Sequence, residues 1–210
     1  MKNTSLINLS TPNSYLRLFL WLFLIVFGGR FIIKDALPYF GFTEEILGRW
    51  WDLRWSLIGH VSGGVVAIII GPFQFWKRFR NKYLSTHRML GKIYLIAILI
   101  GAISATHLAW TTALAVHWTW ALALQGLGFA WIVTSTAAYV AVRRKRIQQH
   151  KDWMVRSYVV TFAFVTFRFL DELGATFEMG SFIERGPTEI WMAWTVPLLI
   201  TEVFLQWDKR

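Results

Sequence analysis

The chain has 210 residues, 55% of them hydrophobic and 16% charged, with a mean hydropathy of +0.43, which excludes a soluble globule and describes a membrane protein. Its 22 Lys and Arg against 12 Asp and Glu give a formal charge of +10, but no nucleic-acid motif accompanies them and they lie between apolar runs, so nucleic acid is not an expected partner. The absence of cysteine excludes disulfides, thiolate zinc sites, cysteine-ligated iron–sulfur clusters, covalently attached haem and cysteine nucleophiles.

A bilayer core about 30 Å thick takes about 20 helical residues. After the polar leader Leu9-Ser10-Thr11-Pro12-Asn13, six segments meet that length in chain order: Tyr15 to Ile33, Trp55 to Trp76, Met89 to Trp110, Trp118 to Val142, Trp153 to Leu170 and Ile190 to Trp207. The first reads as a retained helix rather than a signal peptide, because Phe27-Gly28-Gly29-Arg30 offers no small-x-small cleavage site. Gly71-Pro72 reads as the end of the second span rather than a break within it. The expected fold is all-α: a single polytopic membrane domain over residues 1–210, with six transmembrane helices and a four-helix core formed by the second to fifth.

Positive loops stay in the cytoplasm. The connection between the second and third spans holds Lys77, Arg78, Arg80, Lys82 and Arg88, and that between the fourth and fifth holds Arg143, Arg144, Lys145, Arg146 and Lys151. The connections after the first and fifth spans carry instead Asp35, Glu44, Glu45 and Asp52, and Asp171, Glu172, Glu178, Glu184 and Glu189. The expectation is a multi-pass protein of the inner (cytoplasmic) membrane with both termini cytoplasmic, which the closing Asp208-Lys209-Arg210 does not contradict. Most of the 13 Trp fall at expected interfaces, Trp50, Trp51, Trp55, Trp110, Trp118, Trp120 and Trp191 outside, Trp76, Trp153 and Trp207 inside.

The five His are the nitrogen ligands available to a metal. His60 lies about a turn and a half into the second span from outside, and His117 at the outer mouth of the fourth; His87 and His150 open the third and fifth spans at the same inner depth. Four consecutive helices thus each present one imidazole, paired His60 with His117 outside and His87 with His150 inside, as axial ligation of b-type haem requires. Gly64 and Gly91 follow His60 and His87 by about one turn on the same faces and leave a slot for a flat ring. Arg88, Lys92 and Arg156 lie near the inner pair, where propionates would sit. His107 falls on roughly the opposite face of its helix from His87, at about 100° per residue. Each of these imidazoles also has a plainer reading as an interfacial or interhelical hydrogen-bonding group. Among the other polar residues in or near spans, Arg168 can snorkel, pair with Asp171 or face a cavity; Gln125 and Thr134-Ser135-Thr136 read as interhelical hydrogen bonding; Glu202 reads as solvated at the inner boundary.

Four stretches carry a family resemblance: His60 with Gly63-Gly64, Gly71-Pro72-Phe73-Gln74-Phe75, His87-Arg88-Met89-Leu90-Gly91-Lys92-Ile93-Tyr94, and His150-Lys151-Asp152-Trp153-Met154-Val155-Arg156-Ser157. On them the chain resembles the bacterial membrane-protein family DUF2306, which implies a membrane location and no particular reaction. More distantly it resembles the six-helix, two-haem cytochromes b that pass electrons from ascorbate across membranes. That likeness implies inner ligands His87 and His150 and outer ligands His60 and His117, although His117 departs from the pattern by lying at the mouth of its helix.

The leading expectation is a haem-b membrane oxidoreductase relaying electrons across the bilayer, with a quinone or small reductant as donor. The alternatives are a small transporter or proton-coupled permease, in which His60 and Arg168 line a polar path, and a structural subunit of a larger membrane complex. No hydrolytic motif appears: there is neither a His pair at i, i+4 spacing nor a Gly-rich phosphate loop.

Overall fold

The computed structural model describes residues 12–207; the leader up to Thr11 and the closing Asp208-Lys209-Arg210 lie outside the described residues. Among the described residues the chain is helical and has no strand. Five helical segments are long and apolar enough to cross a membrane, Glu44–Phe75, Leu84–Val116, Trp118–Arg143, Ile147–Thr176 and Phe182–Gln206. They contain the second to sixth expected spans. The regular helices are α1 (Pro12–Phe31), α2 (Arg54–Phe75), α3 (Leu84–Leu108), α4 (Trp118–Arg143), α5 (Ile147–Thr161), α6 (Ala163–Thr176) and α7 (Phe182–Gln206).

Several helices run past the expected limits. α3 starts at Leu84, and α5 at Ile147, so His87 and His150 sit in first turns rather than ahead of them. α7 starts at Phe182 because Ser181 and Glu184 form a capping box: the Ser181 hydroxyl accepts from Glu184 N while the Glu184 carboxylate accepts from Ser181 N. Hydropathy registers apolar length, and it misses polar first turns that capping makes helical. The fifth expected span is interrupted at Phe162, between α5 and α6, where the Phe162 N–H is shared between Tyr158 O and Val159 O.

Small residues set the packing. Gly63 of α2 crosses α3 where a Cβ would collide with Ala97 O and the Gly101 backbone, so the two helices touch through their main chains. Gly71 receives the face of the Tyr158 ring, whose hydroxyl donates to Ile68 O at 3.1 Å. The buried core runs through α2 to α7 and includes Ala67, Ile98, Ala123, Ala138, Val165 and Ile190. Helix α1 leans on this core through Phe23 against Phe162 and Phe27 against Phe169, and it is tied to α6 by the Arg30–Glu172 ion pair. Phe129, Leu199 and Phe204 are exposed on the outside of the bundle, as lipid-facing side chains are.

The alternating loops give the bundle two unlike ends. One, the basic end, carries the short helix Lys77–Lys82 and the Arg143 to Arg146 turn. The other, the acidic end, is built from irregular segments: a π-helical turn Ile32–Ala36, 3-10 turns Leu37–Gly41 and Gly48–Leu53, and a π-helical turn Ala109–Ala113. Trp55, Trp110, Trp118 and Trp191 are exposed near the acidic end and Trp76 and Trp207 near the basic one, as interfacial belts require. Trp120 departs from the expected belt. It is buried, with its indole N–H donating to Ile183 O at 2.9 Å, because the start of α7 packs on it through Phe182 and Gly186.

Candidate functional site

Beneath the acidic end the helices enclose a cavity of about 470 Å³. Its walls are mostly apolar, with Leu57, Val65, Leu127, Phe164, Phe167 and Ile190 among them. That volume lies within the range of small-molecule sites, about 300–1,000 Å³, and apolar walls with a few convergent polar groups are their usual lining. The polar groups include His60, Asp35, Arg49, Arg168, Tyr39, Thr112 and Thr161.

The packing of α2 explains how His60 reaches the cavity. Its Nδ1 lies 3.2 Å from Gly101 O at the close crossing with α3, so the hydrogen sits on Nδ1 and Nε2 is left as an acceptor. The ring meets Phe164 edge-on at 5.6 Å between centroids. One turn on, Gly64 lines the cavity, as does Gly128 of α4, and no atom lies within 4 Å of where a Cβ would stand on either. These two glycines leave open space, whereas Gly63, next in sequence, is at the tight crossing.

Arg168 faces the same cavity from α6, its guanidinium 5.7 Å from the Phe167 ring centroid. Its ion-pair partner is Asp35, at 3.4 Å, and not the neighbouring Asp171, which pairs with Arg185 of α7. The π-helical turn after α1 swings Asp35 over the end of α6, a long-range contact that no local sequence pattern announces. Arg168 Nε is buried without a hydrogen-bond partner.

At the basic end His87 and His150 are within electrostatic reach of each other, with Arg80 and Arg88 also near His87. His150 Nδ1 lies 2.9 Å from Ala138 O, which leaves its Nε2 free to act as a ligand. His87 Nδ1 and Gln74 Nε2 are buried without partners, and Gly91 faces the Gln74 side chain. Arg156 is buried against Glu202 of α7, with Nε–Oε2 at 2.8 Å, and stacks over Trp153 at 4.7 Å. Glu202 is thus an ion-pair partner rather than simply a solvated interfacial group.

The four histidines of the expected ligand set are therefore placed unequally. His87 and His150 lie within electrostatic reach of each other at the basic end. His60 lines the cavity, whereas His117 is an exposed N-cap of α4, its Nδ1 2.8 Å from Thr119 Oγ1, and is not among the lining residues. His107 is exposed and bonded to Ser56 Oγ at 2.7 Å. Tested as a haem site, the inner pair offers imidazoles from separate helices, but His87 lacks the outer-shell acceptor on Nδ1 that usually orients an axial ligand. Among the described residues no group of three or more His, Asp or Glu is arranged to hold a metal ion.

Between the two ends runs a buried polar cluster. Tyr94 OH meets Ser157 Oγ at 3.0 Å and Thr161 Oγ1 at 2.9 Å, and Trp131 Nε1 donates to Thr161 Oγ1 at 2.8 Å. Gln125 accepts from the Trp110 indole, the interhelical bond expected of it. Thr134 and Ser135 instead donate to Ala130 O and Trp131 O of their own helix, since a hydroxyl in an apolar span finds its nearest acceptor one turn back.

The family model described as "Predicted membrane protein (DUF2306)" matches residues 57–205. No curated protein and no solved structure matches the chain. The match extends over α2 to α7 and takes in His60, Arg168 and both basic-end histidines. The chain belongs to the DUF2306 family of predicted membrane proteins.

Proposed function

We propose that this membrane protein is a carrier or permease for a small molecule with an apolar body and a polar head, which it holds in the cavity beneath the acidic end. The observation that supports this reading most is the convergence of His60 and Arg168 on one cavity whose walls are otherwise mostly apolar. With α1 as a sixth span and the basic loops in the cytoplasm, both termini are cytoplasmic, the protein sits in the cytoplasmic membrane and the cavity faces the opposite side.

A photoreactive apolar probe, a benzophenone, tests the reading in nanodiscs. Saturable, competable labelling of Leu127 and Phe164 is expected. Labelling confined to lipid-facing Phe129, Leu199 and Phe204 contradicts it.

A second reading, the haem-b oxidoreductase, is favoured by the placement of His87 and His150 in first turns at the basic end, within electrostatic reach of each other. Those two residues would hold the haem, which supplies one-electron transfer when bound, and the cavity would take a quinone or other small donor. Protein reduced with dithionite is then expected to give the sharp visible bands of six-coordinate haem b, lost in His87→Ala and His150→Ala. A colourless, iron-free preparation contradicts this reading.

A further inference from the structure

We infer that the cavity selects organic anions, and that Asp35 occupies on Arg168 the place that the ligand's anionic head takes when it binds. The inference rests on the cavity being a ligand site and names the chemistry of what enters it. The charged residues lining the cavity are Arg49, Arg168 and Asp35, two guanidinium groups against one carboxylate. Arg49 lies over the Trp50 ring at 4.8 Å and has no carboxylate within ion-pair distance among the described residues. The cavity walls therefore hold more guanidinium than carboxylate: Arg168 stands among apolar side chains, where a charge is less screened and an anion is favoured, and Arg49 adds a second, solvent-exposed cation.

The Asp35–Arg168 contact is built to exchange. It is a single approach at 3.4 Å to Nε, which makes no hydrogen bond, in contrast to the hydrogen-bonded Arg156–Glu202 pair. A guanidinium prefers a planar, two-point carboxylate partner, and Asp35 gives Arg168 only a single approach. Asp35 also sits on a five-residue π-helical turn, a wide and rarely populated geometry often found at functional sites. His60 lines the same space, and with Nδ1 donating to Gly101 O its Nε2 is the acceptor left for a hydroxyl or N–H of the ligand. The open flanks at Gly64 and Gly128 receive a flat apolar body. The ligand class is a carboxylate or comparable organic anion on an aromatic or otherwise flat apolar frame.

The experiment measures equilibrium binding of radiolabelled 1-naphthoate and of its neutral counterpart 1-naphthamide to the full chain in nanodiscs, with empty nanodiscs correcting for partition. Naphthoate is expected to bind at least tenfold more tightly than the amide. Arg168→Gln is expected to remove about tenfold or more of that preference, the size of a lost charge-assisted bond, and Arg49→Gln a few-fold. Asp35→Asn is expected to raise naphthoate affinity and leave naphthamide unchanged. If Arg168→Gln fails to fold, Arg49→Gln and Asp35→Asn decide the matter. Equal binding of the two probes, insensitive to these variants, overturns the anion inference and leaves the cavity reading standing. Saturable binding of neither probe to folded protein overturns both.

Discussion

The acidic and basic halves of the bundle use the same kinds of residue to opposite ends. In the basic half, Arg156 donates two hydrogen bonds to Glu202 and is covered by Trp153, and between the two ends Tyr94, Ser157 and Thr161 satisfy one another. In the acidic half, helices give way to π and 3-10 turns, Arg168 has one loose ion pair, and about 470 Å³ is left open. Gly63 and Gly64 state the contrast in adjacent positions: one closes α2 onto α3, and the other opens α2 onto the cavity. Regular helices with close crossings and a hydrogen-bonded ion pair make a scaffold, and irregular ends with a loosely paired guanidinium make a site.

The largest expected effect breaks the scaffold. Gly63→Leu forces a side chain into the Ala97 and Gly101 backbone and is expected to cost about 3 kcal/mol or more, read as loss of monodisperse protein and a lowered Tm in detergent. Glu202→Gln comes next. It leaves a buried guanidinium without its counter-charge and is expected to cost about 1–3 kcal/mol, checked by the same thermal measurement. Tyr94→Phe removes the hydroxyl shared by Ser157 and Thr161 and is expected to cost about 1–2 kcal/mol while leaving cavity binding close to wild type. Trp207→Ala, at an exposed position at the end of α7, is expected to change stability by less than about 0.5 kcal/mol. A Tyr94→Phe effect larger than that of Gly63→Leu would show that the polar cluster, not the glycine crossing, holds the core.

The pattern of apolar runs and charged loops was enough to place the second to sixth helices, because bilayer thickness fixes span length and loop charge fixes alternation. That His87 and His150 stand at the same end of the bundle was legible for the same reason: helical rise converts sequence position into depth. The cavity was not legible. It depends on which of two adjacent glycines faces a neighbour, on Trp120 turning inward rather than toward the interface, and on Asp35 crossing to Arg168, all of which are set by tertiary packing. The interruption at Phe162 had no signal either, since neither Pro nor Gly stands there. Arg168 and His60 could be singled out as polar groups within spans, but that they share one space emerges with the fold.

The central claim is that open space at Gly64 is a ligand site. It is tested most directly by 1-naphthoate binding to Gly64→Leu in nanodiscs, measured beside its Tm. Because nothing lies within 4 Å of a Cβ at that position, the leucine is expected to fit with stability within about 1 kcal/mol of wild type. The prediction is a folded protein that has lost saturable naphthoate binding. Undiminished binding to a Gly64→Leu protein of unchanged Tm would contradict the claim.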